Sequence, residues 1–293
     1  MTDDPGSAAP AIPVRVAVTG AGGAIGSQVV QELAGTGRVE VTAVVRRPGA
    51  APTGRLVREV IADYEDPAAL VDALTGVQVL VFIGSDGEAD RMLTHHDHIV
   101  DAVRTARVRR VVLLSSLDAD PRSPFCYAHT YAVTERLLAG VDEPVFVRAG
   151  LYAEFFSRWV VGAAASGELR LPMADGWVAP VGRGDVARCL AGLALSDRVS
   201  GEPLVLTGPD GLTLTDLGAE ASRLAGRPVS TVDCSAEEFA RLLIEAQTEA
   251  WWTYAFSTMF AAIREGRFNV VTSGVADVTG RPATPFRTCL DAL

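Results

Sequence analysis

The segment VAVTGAGGAIG, residues 16–26, constrains the fold of this chain more than any other stretch. Its first apolar residues end at Thr19, four of the next seven residues are glycine, and apolar residues at helical spacing follow. This order predicts a strand, a tight turn and a helix. Because side chains in the turn would keep a phosphate away from the N–H groups of the helix N-terminus, it predicts a pyrophosphate site for a dinucleotide. The site residues are Gly20, Gly22, Gly23, Ala24, Ile25 and Gly26.

Up to Gly150, short Val-rich runs alternate with longer amphipathic ones. Strands that are apolar on both faces and alternate with helices form βαβ units. The chain is therefore predicted to be an α/β protein with a doubly wound parallel sheet of the Rossmann type. The predicted strands are 15–19, 40–45, 57–61, 79–83, 110–115 and 144–148, and the predicted helices are 27–35, 67–74, 88–105 and 130–139.

After Gly150 the pattern becomes mostly helical. We predict an aromatic helix over 152–165, a helix with Asp185 as its N-cap, and short strands over 168–172, 202–208 and 229–233. This change of pattern suggests two domains. The dinucleotide-binding domain takes 12–150 and 178–207, a smaller and mostly helical substrate domain takes 151–177 and 208–293, and 1–11 form a flexible arm.

Composition narrows the range of functions. The net charge is −10 and there is no basic stripe, which argues against a nucleic-acid partner. The apolar runs fall short of the roughly 18 residues that a membrane span needs, and the four cysteines form no CxxC pair, so we expect a cytoplasmic protein. All 26 basic residues are arginine. The lack of lysine excludes Schiff bases, lysine-assisted proton transfer and an ordinary P-loop ATPase.

The second predicted strand ends in VTAVVRRPG, with Arg46 and Arg47 where an NAD site typically places an acidic side chain. Guanidinium groups match the additional 2′-phosphate of NADP. The cofactor is therefore predicted to be NADP(H), with NADPH preferred over NADH.

The chain resembles the NmrA-like group of atypical short-chain dehydrogenase/reductases, and is nearest in pattern to type-2 NAD(P)H:quinone oxidoreductases. The resemblance rests on TGAGGAIG, VVRRP, ADYEDPAAL, HDHIVDAVRTARVRRVVLLSS, YAVTE, VRAGLYAEFF and VTGRPATPF. It implies that Asp63 and Tyr64 lie by the adenine. It further implies that Phe82, Ile83 and Gly84 line the ribose, and that Ser115 and Ser116 end the fifth strand at the catalytic centre.

The resemblance also places Tyr131 in the position of the superfamily's Tyr-x-x-x-Lys tyrosine, whereas Glu135 stands in the lysine position. A carboxylate there would disfavour an ionised phenol instead of favouring it. Alcohol–ketone interconversion by that route is therefore not expected. Quinones accept hydride without a strong acid, and the similar quinone reductases share the TE ending, so the replacement indicates a substrate class.

Several other residues are candidates for the acceptor side. His129 could donate a proton to the reduced acceptor, beside Tyr131 and Ser116. Aromatic residues at helical spacing usually belong to the hydrophobic core. The aromatic residues from Tyr152 onward, however, follow RAG (148–150) at the end of the sixth predicted strand, and this end of a doubly wound sheet faces the substrate cleft. The predicted substrate-binding residues are Tyr152, Phe155, Phe156, Trp251 and Trp252. The cluster THHDHI lacks further ligands elsewhere, so no metal site is predicted.

The leading hypothesis is an NAD(P)H-dependent oxidoreductase that passes hydride to a quinone or a related conjugated aromatic acceptor. NmrA-like proteins that bind the dinucleotide without consuming it and act as redox sensors are one alternative. A tailoring enzyme acting on a polycyclic aromatic natural product is the other. The sequence leaves the acceptor and the oligomeric state open, a homodimer included.

Overall fold

The computed structural model describes residues 14–197 and 201–293, so the arm predicted at 1–11 lies outside the described residues. Within these ranges the strands are β1 (Val14–Val18), β2 (Val39–Val45), β3 (Val57–Ile61), β4 (Val79–Phe82), β5 (Arg110–Ser116), β6 (Glu143–Ala149), β7 (Glu168–Leu171), β8 (Leu204–Leu206) and β9 (Ser230–Asp233). The main sheet has the order β3-β2-β1-β4-β5-β6-β8 and is parallel throughout. β7 and β9 pair in a separate two-stranded sheet.

Helices cover both faces of the main sheet. They are α1 (Gly26–Gly35), α2 (Pro67–Leu74), α3 (Ala89–Ala106), α4 (Cys126–Leu138), α5 (Ala153–Ser166), α6 (Arg183–Leu195), α7 (Leu214–Ala225), α8 (Ala236–Glu245), α9 (Ala250–Arg264), α10 (Gly274–Thr279) and α11 (Phe286–Asp291). α1 and α6 pack on one face, while α2, α3 and α4 pack on the other. The predicted doubly wound Rossmann fold is confirmed.

The strand order reverses at β1, because the chain runs outward through β2 and β3 and then returns to β4 on the other side. In doubly wound sheets a ligand binds at such a reversal, beyond the carboxyl ends of the strands. The loops after β1 and β4 are therefore the natural walls of a site.

The later helices build a second core that borders this crevice. Buried side chains from α5, α7, α8, α9 and α11 form it, together with the two-stranded sheet. Its largest members are Phe156, Phe239, Phe260 and Phe268. α10 instead packs against α6 and β8, beside the main sheet. The predicted domain division at 208 stays a prediction.

Two predicted helix starts were wrong by three or four residues. Asp185 is not an N-cap, because α6 begins at Arg183 and its N-cap is Gly182. The Asp185 carboxylate is buried in the first turn and accepts hydrogen bonds from the backbone N–H (2.7 Å) and hydroxyl (3.1 Å) of Thr284. α4 starts at Cys126 instead of Thr130, because Phe125 and Ala128 anchor this earlier turn in the second core.

None of the described helices combines the length and the apolar character that crossing a membrane requires.

Candidate active site

A cleft of about 760 Å³ runs across the carboxyl ends of the central strands. The loops after β1, β2 and β4 form one half, which we call the nucleotide half. The ends of β5 and β6 with α4, α5, the start of α6 and α9 form the other, which we call the acceptor half. The two halves are continuous, so a ligand in the first half can present a reactive group to a ligand in the second.

The turn after β1 is closely packed on itself. Gly20 has a φ of +62°, and its carbonyl oxygen accepts a hydrogen bond from the Gly23 N–H at 2.9 Å. A Cβ on Gly26 would overlap that same carbonyl oxygen. The turn therefore closes only without side chains at these positions, and it brings the backbone of Gly22–Gly26, at the start of α1, to the cleft wall. This arrangement fits a pyrophosphate.

The ends of β1 and β4 are fastened to each other beneath that turn. The Thr19 hydroxyl donates to the Ile83 carbonyl oxygen (3.0 Å) and accepts from the Ile83 N–H (2.9 Å). The Tyr64 hydroxyl donates to the same carbonyl at 3.0 Å, and burial raises the pKa of Tyr64 to about 12. Tyr64 is thus a fixed, neutral part of the wall.

Arg46 and Arg47 are exposed and line the cleft beyond β2. The turn after them is held by the Glu59 carboxylate, which accepts from the N–H groups of Gly49 (2.8 Å) and Ala51 (3.0 Å). These backbone hydrogen bonds lower the pKa of Glu59. The two guanidinium groups therefore stand on an ordered turn at the wall of the nucleotide half.

The three histidines of THHDHI have separate partners. His95 Nδ1 lies 2.9 Å from the Ser85 hydroxyl, and His98 Nδ1 lies 2.8 Å from the Tyr64 carbonyl oxygen. His96 Nδ1 lies 2.8 Å from the Thr134 hydroxyl, whose own hydrogen goes to a backbone carbonyl, so this nitrogen carries the proton.

His96 packs directly behind the cleft wall. It is fully buried, and a Cβ on Gly84 would overlap its Nε2. Desolvation lowers the pKa of His96 to about 4, so the ring is neutral at physiological pH. The glycine at 84 lets a neutral imidazole lie against the loop after β4.

Glu135, in the lysine position, is directed away from the tyrosine. Its carboxylate accepts two hydrogen bonds from the Arg148 guanidinium, at 2.9 and 2.6 Å, and a third from the Ser115 hydroxyl at 2.6 Å. A bidentate pair of this kind neutralises the buried charge. The pKa of Tyr131 is strongly raised, with burial as the largest cause and the neighbouring Tyr152, Tyr127 and Asp86 adding to it. Glu135 is therefore a structural partner of β5 and β6.

Aromatic side chains dominate the acceptor half. Tyr127 and Tyr131 come from α4, Tyr152 from the N-cap of α5, and Trp252 with Phe256 from α9. The Tyr127 hydroxyl donates to the Gly87 carbonyl oxygen at 2.7 Å and accepts from the Trp251 indole N–H at 3.2 Å. The Trp252 and Phe256 rings are stacked with centroids 5.8 Å apart. This surface fits a flat, conjugated molecule.

Most of the predicted site residues lie together on the cleft wall. They are Gly20, Gly22, Gly23, Ala24, Ile25, Gly26, Arg46, Arg47, Tyr64, Ile83, Gly84, Ser115, Ser116, Tyr131, Tyr152, Phe155 and Trp252.

Five others lie elsewhere. Asp63 is exposed beside the rim, where it accepts a hydrogen bond from the Glu65 N–H, and His129 is on the exposed face of α4. Phe82 is fully buried between the main sheet and the helices α2, α3 and α4. Phe156 is fully buried in the second core. Trp251 supports the wall through Tyr127 and does not line the cleft.

The sequence reasoning missed several lining residues, notably Asp86, Tyr127, Arg183, Phe256 and Met259. Tyr127 lies four residues before Tyr131, and Phe256 lies four residues after Trp252, so helical spacing from these predicted site residues could have found both. Arg183 had none, since only the packing of α6 against α1 brings it to the cleft.

The fold and cleft define an enzyme class, a Rossmann-type oxidoreductase that uses NAD(P)H. Residues 20–139 match the NAD(P)H-binding family. The chain is 32% identical to quinone oxidoreductase 2 of Escherichia coli over 236 residues, 78% of this chain and 80% of that protein. It is 30% identical to (4-alkanoyl-5-oxo-2,5-dihydrofuran-3-yl)methyl phosphate reductase of Streptomyces griseus over 276 residues, 93% of this chain and 95% of that one.

The structure agrees with these relationships. It superposes on the NADPH complex of the Escherichia coli NADPH-dependent quinone oxidoreductase with a TM-score of 0.88 and 27% identity, over 94% of this chain and 99% of the other. The protein belongs to the NAD(P)H-binding family of NmrA-like oxidoreductases that includes quinone oxidoreductase 2.

Proposed function

We propose that this protein is an NADPH-preferring reductase of quinones or of closely related conjugated aromatic acceptors. The observation that carries the proposal is the continuity of the cleft, in which a backbone-lined phosphate cradle opens directly into an aromatic pocket. The relationship to quinone oxidoreductase 2 supports the same substrate class.

In this proposal Gly20–Gly26 hold the pyrophosphate, and Arg46 and Arg47 hold the 2′-phosphate. When bound, the cofactor would supply hydride from C4 of its nicotinamide. Gly84, supported by His96, gives the ribose a wall without a side chain. Tyr152, Phe155 and Trp252 would hold the acceptor ring flat against the nicotinamide end of the cleft.

Reduction of a quinone by hydride also takes up one proton. Tyr131 keeps its phenolic proton at neutral pH because burial raises its pKa, and its hydroxyl has no hydrogen-bond partner within 14–197 and 201–293. The phenol can therefore donate a hydrogen bond to an acceptor oxygen, with Ser116 on the same wall, while the hydroquinone anion would take its proton from water. An ordinary ketone needs a stronger acid, since its alkoxide product is far more basic than a hydroquinone anion.

The direct test is anaerobic oxidation of NADPH with a panel of quinones, with NADH alongside. We expect rapid oxidation, with NADPH favoured over NADH, and no reduction of simple aliphatic ketones. Clear binding of NADPH without oxidation by any quinone would contradict the proposal and would favour a sensor that does not consume its cofactor.

A further inference from the structure

We infer that Arg183 binds an oxyanion of the acceptor, so that the preferred substrates are conjugated acceptors carrying a phosphate, sulfonate or carboxylate. The inference rests on the proposed function, because it concerns the acceptor in the same cleft. No motif in the sequence predicts this residue at the cleft.

The position of Arg183 supports this role. It is the first residue of α6 and lines the cleft, and its guanidinium carbon lies 5.1 Å from the centroid of the Tyr152 ring. Tyr152 precedes α5, whose Phe155 ring is 5.3 Å from Phe256 of α9. Arg183 therefore borders the aromatic wall, so a ring held on that wall would place a substituent within its reach.

The guanidinium has no carboxylate partner among the residues that the structure describes. The Glu154 carboxylate accepts a hydrogen bond from the backbone N–H of Arg183 at 2.9 Å but makes no ion pair with its side chain. Glu154 thus fixes the backbone at the start of α6, and the Arg183 guanidinium remains available at the cleft wall. An arginine fixed by its backbone and packed on an aromatic ring needs little reordering to bind an anion.

The other charges of the cleft are Arg46 and Arg47, at its nucleotide end, and Asp86, the one carboxylate on the described lining. Asp86 lies in the loop after β4, and its negative charge adds to the rise in pKa that burial causes in Tyr127 and Tyr131. The acceptor half therefore has the Asp86 carboxylate on the side of the loop after β4 and the Arg183 guanidinium on the side of α6. An acceptor with a single oxyanion would be oriented by this difference.

An alternative ligand for the Arg183 guanidinium is the pyrophosphate of the cofactor, because α6 packs against α1 and Gly184 lies beside Gln28. The experiment must separate the two. It compares wild type, Arg183→Gln and Arg183→Lys, with Arg158→Gln as the matched control because Arg158 is exposed on α5, away from the cleft. The acceptors are 1,4-naphthoquinone and 1,4-naphthoquinone-2-sulfonate, with enzyme-free rates subtracted.

We expect Arg183→Gln to lower kcat/KM for the sulfonated quinone by roughly tenfold to a hundredfold, the effect of a charge-assisted hydrogen bond. The neutral quinone and the KM for NADPH should change by less than about threefold. Arg183→Lys should recover part of the loss, and Arg158→Gln should change neither quinone. Equal losses on both quinones, or a raised KM for NADPH in Arg183→Gln, would overturn the inference.

If wild type reduces no quinone, the proposed function fails while the anion site is still tested by binding. Calorimetry on the NADP⁺-loaded protein would then compare naphthalene-2-sulfonate with 2-naphthalenemethanol. Preference for the sulfonate that disappears in Arg183→Gln supports the site. Equal binding of the two probes, or no binding of either, contradicts it.

Discussion

The two halves of the cleft are built by different means. In the nucleotide half the glycine turn presents its backbone, and short segments after β1, β2 and β4 supply most of the wall. In the acceptor half side chains form the surface, and they come from elements more than 100 residues apart, such as Tyr127 and Trp252. A phosphate binds wherever N–H groups converge, whereas an aromatic acceptor needs a shaped apolar wall. The first half therefore suits a shared cofactor, and the second can vary with the substrate.

The largest effect is expected at Gly26. Gly26→Val places a side chain against the Gly20 carbonyl oxygen, so the turn must open and the phosphate cradle is lost. We expect the Kd for NADPH to rise by roughly a hundredfold or more. Fluorescence titration measures this, and circular dichroism shows whether the variant is folded. Gly35→Ala, where a Cβ meets nothing within 4 Å, should bind normally. Equal binding by all three proteins would place the pyrophosphate elsewhere.

The next effect separates the two nicotinamide cofactors. Arg46→Asp replaces an attraction to the 2′-phosphate with a repulsion, whereas NADH has no such phosphate. We expect NADPH affinity to fall by roughly tenfold to a hundredfold and NADH affinity to stay within about threefold. Titrations of both cofactors against the same preparation measure the difference. Equal losses of NADPH and NADH affinity would show that Arg46 stabilises the loop after β2 and does not bind the 2′-phosphate.

A smaller effect concerns the support behind Gly84. The pKa of His96 is about 4 in the folded protein and about 6.5 when unfolded, so between these values the unfolded chain binds more protons. Stability should therefore fall on acidification from pH 7 to pH 5, and His96 should account for roughly 1–2 kcal/mol of that fall.

Urea denaturation at both pH values measures this contribution. His96→Asn can keep the hydrogen bond to Thr134 but cannot be protonated, so its stability should depend less on pH. His129→Gln, on the exposed face of α4, is the control and should behave as wild type. An unchanged pH dependence in His96→Asn would mean that the acid sensitivity lies elsewhere.

The smallest effect is expected on the aromatic wall. Trp252→Ala removes one face of the acceptor pocket, and we expect the KM for a quinone to rise by roughly threefold to tenfold while the KM for NADPH is unchanged. Steady-state kinetics in both substrates measure this. Tyr254→Ala removes an exposed side chain of the same helix and is the matched control. A change in the KM for NADPH alone would assign Trp252 to the nucleotide half.

The sequence determined the doubly wound sheet and the glycine turn after β1 because both depend on short-range order. Val16–Gly26 carries strand, turn and helix in one run, and the limits of β3 and α2 were predicted correctly. Arg46 and Arg47 follow from the end of β2 in the same way. These features need only the local chain and the rule that parallel strands end at one edge of a sheet.

The tertiary structure alone decided what depends on distant partners. The sequence could place Glu135 in the lysine position, but only the fold pairs it with Arg148 and Ser115 and so removes its charge from Tyr131. Likewise, Phe156 and Phe155 are neighbours in one helix, yet the first is core and the second lines the cleft. Arg183 reaches the cleft through the packing of α6. Such roles are set by which surfaces meet, and a single sequence does not record them.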